Sequence, residues 1–226
     1  MVDDNHDGIP DDIDPDHYRV AIFGSARLKK EDQDYQDVYL LAHALAEDGI
    51  DIVTGGGPGL MEAANRGHKI GRPEGSLAHS FGLNIELPHE QSFNPYLDVK
   101  KDFDAFSRRL DAFMLLSNVV VVAPGGVGTC LEFFYAWQLM QVKHTCMTPI
   151  IMMGEMWLGL LRWIKEQPLA RGLLSKEDMM NIVVVDSWKD AHVLINEAIE
   201  VFRVEGKEAC LNIRMYGKKA RIDDIL

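Results

Sequence analysis

The chain has 226 residues, 47% of them hydrophobic, which suits one domain with a sizeable core. Lys and Arg total 23 against 35 Asp and Glu, a formal net charge of −12. That balance excludes broad nucleic-acid binding but leaves room for a local site that takes a small anion. Cys130, Cys146 and Cys210 are odd in number and form no C-x-x-C pair, so no disulfide framework is expected and a reducing cytoplasm is the simple setting. The acidic start has no apolar segment of the signal-peptide kind, and the apolar runs are too short to cross a bilayer, so no membrane association is expected.

Residues 1–17 read as an acidic arm and residues 18–226 as one domain. Tyr18 to Phe23 is an apolar strand that ends at Gly24-Ser25. Asp34 to Glu47 has helical periodicity and stops at Gly49. Ile50 to Val53 is a second strand, and Thr54-Gly55-Gly56-Gly57-Pro58-Gly59 follows it directly. The spacing predicts a helix over Leu60 to Ile70, a strand within Leu77 to Leu87 and a helix over Asp102 to Leu116. Phe103, Phe106, Leu110, Phe113 and Ser117 mark the inward stripe of that helix. Val119 to Ala123 is the next strand, and Pro124-Gly125-Gly126-Val127-Gly128 leads into a helix over Thr129 to Val142. A strand at Pro149 to Met153, a helix around Trp157 to Glu166, a strand at Ile182 to Val185 and a helix from Trp188 to Val204 complete the order. Such alternation predicts an α/β fold: a Rossmann-like, doubly wound parallel sheet between two helix layers.

Two glycine-rich strand-to-helix turns carry the strongest functional signal. Gly55, Gly56, Gly57 and Gly59 in the first, and Gly125, Gly126 and Gly128 before Thr129 in the second, let backbone N–H groups approach a ligand at a helix start. Such a start favours phosphate, although glycines also simply make tight turns. Neither turn is a G-x-G-x-x-G dinucleotide fingerprint or a P-loop. Glu132 lies three residues after Thr129. Two readings stay open for it: a capping box with Thr129 as N-cap, or a carboxylate that stabilises positive charge on a ribosyl group or activates water. Arg109 lies on the flank of its helix's apolar stripe, where it snorkels, pairs with an acid or reaches a ligand, whereas Arg108 points away. An arginine close to Glu132 would hold phosphate or ribose and keep the glutamate ionised. The turn-rich run from Leu87 to Gln91 and Asn94-Pro95-Tyr96 reads as a lid, a pocket wall or a surface loop.

Four segments resemble the LONELY GUY-type family. They are Gly-Ser-Ala-Arg at 24–27, Thr-Gly-Gly-Gly-Pro-Gly-Leu-Met-Glu-Ala-Ala-Asn-Arg-Gly at 54–67, Gly-Leu-Asn-Ile-Glu-Leu-Pro at 82–88, and Pro-Gly-Gly-Val-Gly-Thr followed by Glu132. That family contains cytokinin-activating phosphoribohydrolases and nucleotide 5′-monophosphate nucleosidases, and many members carry the label "possible lysine decarboxylase". The resemblance implies a Rossmann-like homodimer or larger homo-oligomer that needs no cofactor. It implies hydrolysis of a nucleoside monophosphate such as AMP to base and ribose 5-phosphate. Arg109 and Glu132 take the catalytic positions; Ser25, Gly56, Gly57, Gly59, Met61, Asn84, Gly125, Gly126, Gly128 and Thr129 take substrate-binding ones. Arg109-Leu110 stands where the family often has Arg-Lys, which points away from cytokinin-type substrates. The helix after the second glycine turn is expected near a dimer seam, with Trp137, Leu139 and Met140 as its apolar surface.

The arm adds a separate expectation. Asp3, Asn5, Asp7, Asp11 and Asp14, with Gly8 at the turn, match a calcium loop in spacing and resemble thrombospondin type 3 and dockerin loops. A solvated acidic tail is the alternative.

Overall fold

The structure is a computed structural model that describes residues 17–86, 92–143 and 149–205. The calcium-loop residues Asp3, Asn5, Asp7, Asp11 and Asp14, the run from Leu87 to Gln91, and Cys146 and Cys210 lie outside the described residues.

Short runs of four to six residues form the strands β1 (Arg19–Phe23), β2 (Asp51–Thr54), β3 (Ser80–Ile85), β4 (Val99–Phe103), β5 (Val119–Val122), β6 (Ile150–Met153) and β7 (Ile182–Val185). They make one parallel sheet in the order β4-β3-β2-β1-β5-β6-β7. The central register sets Val20 between Ile52 and Val119. All four valines of β5 are buried, as a strand covered on both faces requires.

The helices are α1 (Gln33–Glu47), α2 (Leu60–Gly71), α3 (Phe106–Leu116), α4 (Val127–Gln141), α5 (Met156–Ile164) and α6 (Trp188–Glu205). On one face, α1, α2 and α6 pack Leu41, Leu45, Leu60 and Ile195 against Val20, Ile52 and Val121. On the other, α3, α4 and α5 pack Phe113, Phe133 and Trp157 against Phe81, Val120 and Met152. The result is the expected doubly wound, three-layer α/β architecture. The chain runs outward from β1 to β4, then returns to β5 on the other side of β1. The gap between the carboxyl ends of β1 and β5 is therefore the topological switch point, where such sheets bind ligands.

Several local expectations need correction. Asp102 and Phe103 belong to β4, an edge strand that pairs with β3, and α3 begins only at Phe106. Phe106 is 48% exposed rather than inward, while Leu110, Ala112, Phe113 and Leu116 fill the interior. Helix α4 begins at Val127 with Gly126 as N-cap, so Thr129 sits inside its first turn and forms no capping box with Glu132. Trp137 and Met140 are buried in their own chain's core rather than offered to a partner. The exposed apolar side chains of α4 are Val127, Leu131 and Phe134, with Val142 just beyond its end.

Candidate functional site

Three loops meet at the switch point. After β1, Ser25 N–H donates to the Pro124 carbonyl at 3.0 Å, and the Ser25 carbonyl accepts from Leu60 N–H at 2.9 Å. Gly59 has φ +69°, and a Cβ there would lie 2.4 Å from the Ser25 carbonyl oxygen. Only glycine fits this contact. The loop after β1 is thus locked to the loop after β5 and to the start of α2.

The first glycine turn is held from behind by buried amides. Asn94 Nδ2 donates to the carbonyls of Gly56 and Gly57, each at 3.0 Å, and to Asn65 Oδ1 at 2.8 Å. Thr54 Oγ1 donates to the same Asn65 oxygen at 2.9 Å and accepts from Gly56 N–H at 3.0 Å. Asn94 is neither lid nor ordinary surface loop; it is a buried pin. Sequence reasoning missed this role for Asn94, Asn65 and Thr54. Asn65 falls within the glycine motif itself, and an amide in an otherwise buried helical stripe was the available signal.

A cavity of about 460 Å³ opens over these loops, within the usual size for a small-ligand site. Its wall contains Ser25, Met61, Asn84, Arg109, Gly126, Gly128, Thr129 and Glu132. Most of the residues singled out from sequence are thus brought together. Gly56, Gly57, Gly59 and Gly125 are not on the wall. Gly56 is covered by Phe93, and Gly59 abuts Ser25 and Ala26. The carbonyl of Gly57 is taken by Asn94. Gly125 seats the Thr129 side chain. These glycines shape the turns from behind, while Gly55, also read from the first turn, lies on the wall. Arg27 and Val127 also line the cavity and were not singled out.

The first turn of α4 supplies the anion-seeking end. Gly126, Val127 and Gly128 are exposed, and a Cβ at Gly126 or Gly128 would meet nothing within 4 Å. Gly126 caps α4 with no side-chain hydrogen bond, so the first N–H groups of the helix keep their donors and the helix dipole for a ligand.

Arg109 and Glu132 face each other across the wall. Arg109 Nη2 donates to Glu132 Oε1 at 2.8 Å, and the two side chains are 11% and 12% exposed. Arg109 Nε is buried with no hydrogen-bond partner, a donor in want of an acceptor. The guanidinium also lies 5.5 Å from the Phe106 ring centre and 5.8 Å from that of Phe113. Those two rings hold its plane in place. Burial pushes the Glu132 carboxyl up to about 7, and Arg109 only partly draws it back. The arginine therefore does not keep the glutamate fully ionised, because desolvation outweighs the ion pair. The same burial lowers Arg109 below its ordinary value. Asn84 Nδ2 donates to Asp102 on β4 at 2.9 Å, which orients its amide at the other end of the wall. Arg108 is solvated and pairs with Asp104, as its helical position predicts.

Residues 61–195 match the family described as possible lysine decarboxylase. The chain belongs to this family. An 89-residue stretch is 30% identical to the pyrimidine/purine nucleotide 5′-monophosphate nucleosidase of Escherichia coli (strain K12). The match covers 38% of this chain and only 20% of that relative. Among solved structures, the molybdenum cofactor binding protein of Rippkaea orientalis superposes with a TM-score of 0.59 at 20% identity, covering 81% of this chain and 98% of that one. The molybdenum cofactor carrier protein of Chlamydomonas reinhardtii superposes with a TM-score of 0.58 at 20% identity, covering 81% and 99%. At that identity these two structures establish the shared Rossmann-like fold. Among the described residues no helix is long and apolar enough to cross a membrane, and no cluster of His, Cys, Asp and Glu is built to hold a metal ion.

Proposed function

We propose that the chain hydrolyses the N-glycosidic bond of nucleoside 5′-monophosphates, releasing a free base and ribose 5-phosphate. One observation carries the reading: a buried Arg109–Glu132 pair sits on the wall of a cavity whose other end is an uncapped helix N-terminus. A phosphate docks on the N–H groups at Gly126, Val127 and Gly128, and this fixes the ribose ahead of any chemistry. Glu132 then faces the sugar carbon that bears the base. Loss of the base builds positive charge on the ribose, and an ionised Glu132 stabilises it. The same carboxylate takes a proton from the water that attacks C1′. The C1′–N bond breaks, and the electron pair and a solvent proton go to the base. A carboxyl poised near 7 is well matched to a general base working near neutral pH. Arg109 holds the carboxylate through one oxygen and offers its unpartnered Nε to ribose or phosphate. The steps use side chains and backbone of the chain together with water, so the reading calls for no cofactor.

The curated nucleosidase relative and the family match support this activity, although only a fifth of that relative's length is matched. A nucleotide or cofactor carrier is the rival reading on the same fold. It needs the anion-binding helix start but has no use for a carboxyl raised toward neutrality at the ligand. Incubation with a panel of nucleoside monophosphates, read out as free base by chromatography, separates the two. Base release supports the hydrolase, and tight binding without release supports the carrier.

We also infer that the chain assembles as a homodimer through α4. Glu132 is the one charged residue between Val127 and Gln141, and besides the side chains it buries the helix exposes Val127, Leu131 and Phe134. Apolar side chains left exposed together on a helix mark a surface for a partner.

A further inference from the structure

We propose that Arg27 makes this cavity select phosphorylated ligands, by closing its guanidinium on the phosphate opposite the start of α4. The inference rests on the nucleotide reading above and names the residue that enforces it.

The argument begins with charge. The chain carries a net −12, so a phosphate dianion approaches against the mean field and needs local positive charge to stay. Within the cavity wall, Arg109 is already engaged with Glu132 at 2.8 Å. Ser25, Asn84 and Thr129 are neutral. The N-terminus of α4 supplies about half a positive charge, too little for a dianion. Among the described wall residues, Arg27 is the one cation that has no carboxylate partner. Nearby Lys30 is already engaged with Glu62 at 3.4 Å.

The backbone geometry supports the same assignment. Arg27 N–H donates to Ser25 Oγ at 3.1 Å. Ser25 in turn is tied to Pro124 and Leu60, and Gly59 packs against Ser25 and Ala26. The root of the arginine is therefore fixed relative to both glycine turns, while its side chain is exposed at the cavity mouth. A long side chain anchored in a rigid loop and ending beside an anion site loses little order when it binds. Its planar fork also matches two phosphate oxygens at once. Arg27 acts on a group that substrate and product share, so it contributes uniform binding and not transition-state binding.

Arg27→Ala and Arg27→Lys test the proposal, with calorimetric titration of AMP, ribose 5-phosphate and adenosine into each protein. Because the side chain is exposed, both variants are expected to melt with the wild type. Loss of a charge-assisted contact predicts about 10- to 100-fold weaker binding of AMP and ribose 5-phosphate to Arg27→Ala. Adenosine affinity is unchanged, and Arg27→Lys recovers part of the loss. Where turnover is seen, KM rises by a similar factor while kcat stays within about threefold. Wild-type protein that binds AMP and ribose 5-phosphate, with Arg27→Ala binding them equally well, overturns the Arg27 assignment and leaves the nucleotide reading standing. An equal loss for adenosine also overturns it. Wild-type protein that binds neither phosphorylated ligand overturns both.

Discussion

Replacing Arg109 with methionine removes a charge from the cavity wall but keeps a flexible side chain on α3. In the wild type the guanidinium donates to Glu132 at 2.8 Å and offsets part of the burial that raises this carboxyl to about 7. With the charge centres roughly 4 Å apart, an effective dielectric of about 20 gives ~4 kcal/mol. That corresponds to about 3 pH units at ~1.36 kcal/mol per unit. Both side chains retain some exposure, 11% and 12%, so water screens part of the effect, and an upward shift of about 1–3 units is expected. The sign is fixed: without a counter-charge the ionised carboxylate is the disfavoured form. The acid limb of the kcat/KM profile, which reports Glu132 in the free enzyme, should move to higher pH by the same amount. Carbon NMR of the labelled Glu132 carboxyl tests the shift without turnover. A double-mutant cycle with Glu132→Gln should return a stability coupling above about 1 kcal/mol. An acid limb and carboxyl titration that stay in place in folded Arg109→Met protein would refute the coupling, and with it the poised general base.

Three further outcomes follow from the same geometry. His68 is buried with Nε2 donating to the Ile50 carbonyl at 2.9 Å, and burial lowers its pKa from 6.5 to about 4. The unfolded chain therefore binds its proton first as pH falls. About 3 kcal/mol of stability, complete above pH 6.5, should drain away toward pH 4, and denaturant titrations of His68→Gln should lack that slope. Gly59→Ala forces a side chain onto the Ser25 carbonyl at a backbone angle of +69°. It should cost more than about 3 kcal/mol in chemical denaturation and weaken phosphate-ligand binding by displacing the loop after β1. Phe134→Glu, on the exposed side of α4, should convert a dimer to a monomer in sedimentation velocity without lowering monomer stability; an unchanged sedimentation coefficient contradicts the inferred seam.

The fold was legible wherever burial is symmetrical. Runs such as Val119 to Val122 and Ile182 to Val185 are apolar on both faces, and each precedes a helix. Strand β4 was not legible, because Val99-Lys100-Lys101-Asp102-Phe103 lies at the sheet edge with its charges outward and resembles a helix start. Burial also decided Phe106, which only the chain path shows to be one residue past the N-cap. Arg109 and Glu132 were each readable as candidates from the family resemblance, but their contact and its electrostatics were not. Whether a neighbouring arginine or desolvation controls a carboxyl depends on how much protein surrounds it, which spacing does not report. The buried amides of Asn65 and Asn94 escaped notice for a related reason. Asn94 holds backbone carbonyls 38 and 37 residues away in the chain, and the two amides meet across 29 residues, all brought close only by folding.

The most direct test is Glu132→Gln, which removes the base but keeps the shape of the side chain and a group able to face Arg109. The variant should melt near the wild type and still bind AMP, yet release adenine from it at least about 1,000-fold more slowly. Release of free base at the wild-type rate from this variant would contradict the assignment of Glu132 as the group that acts at C1′.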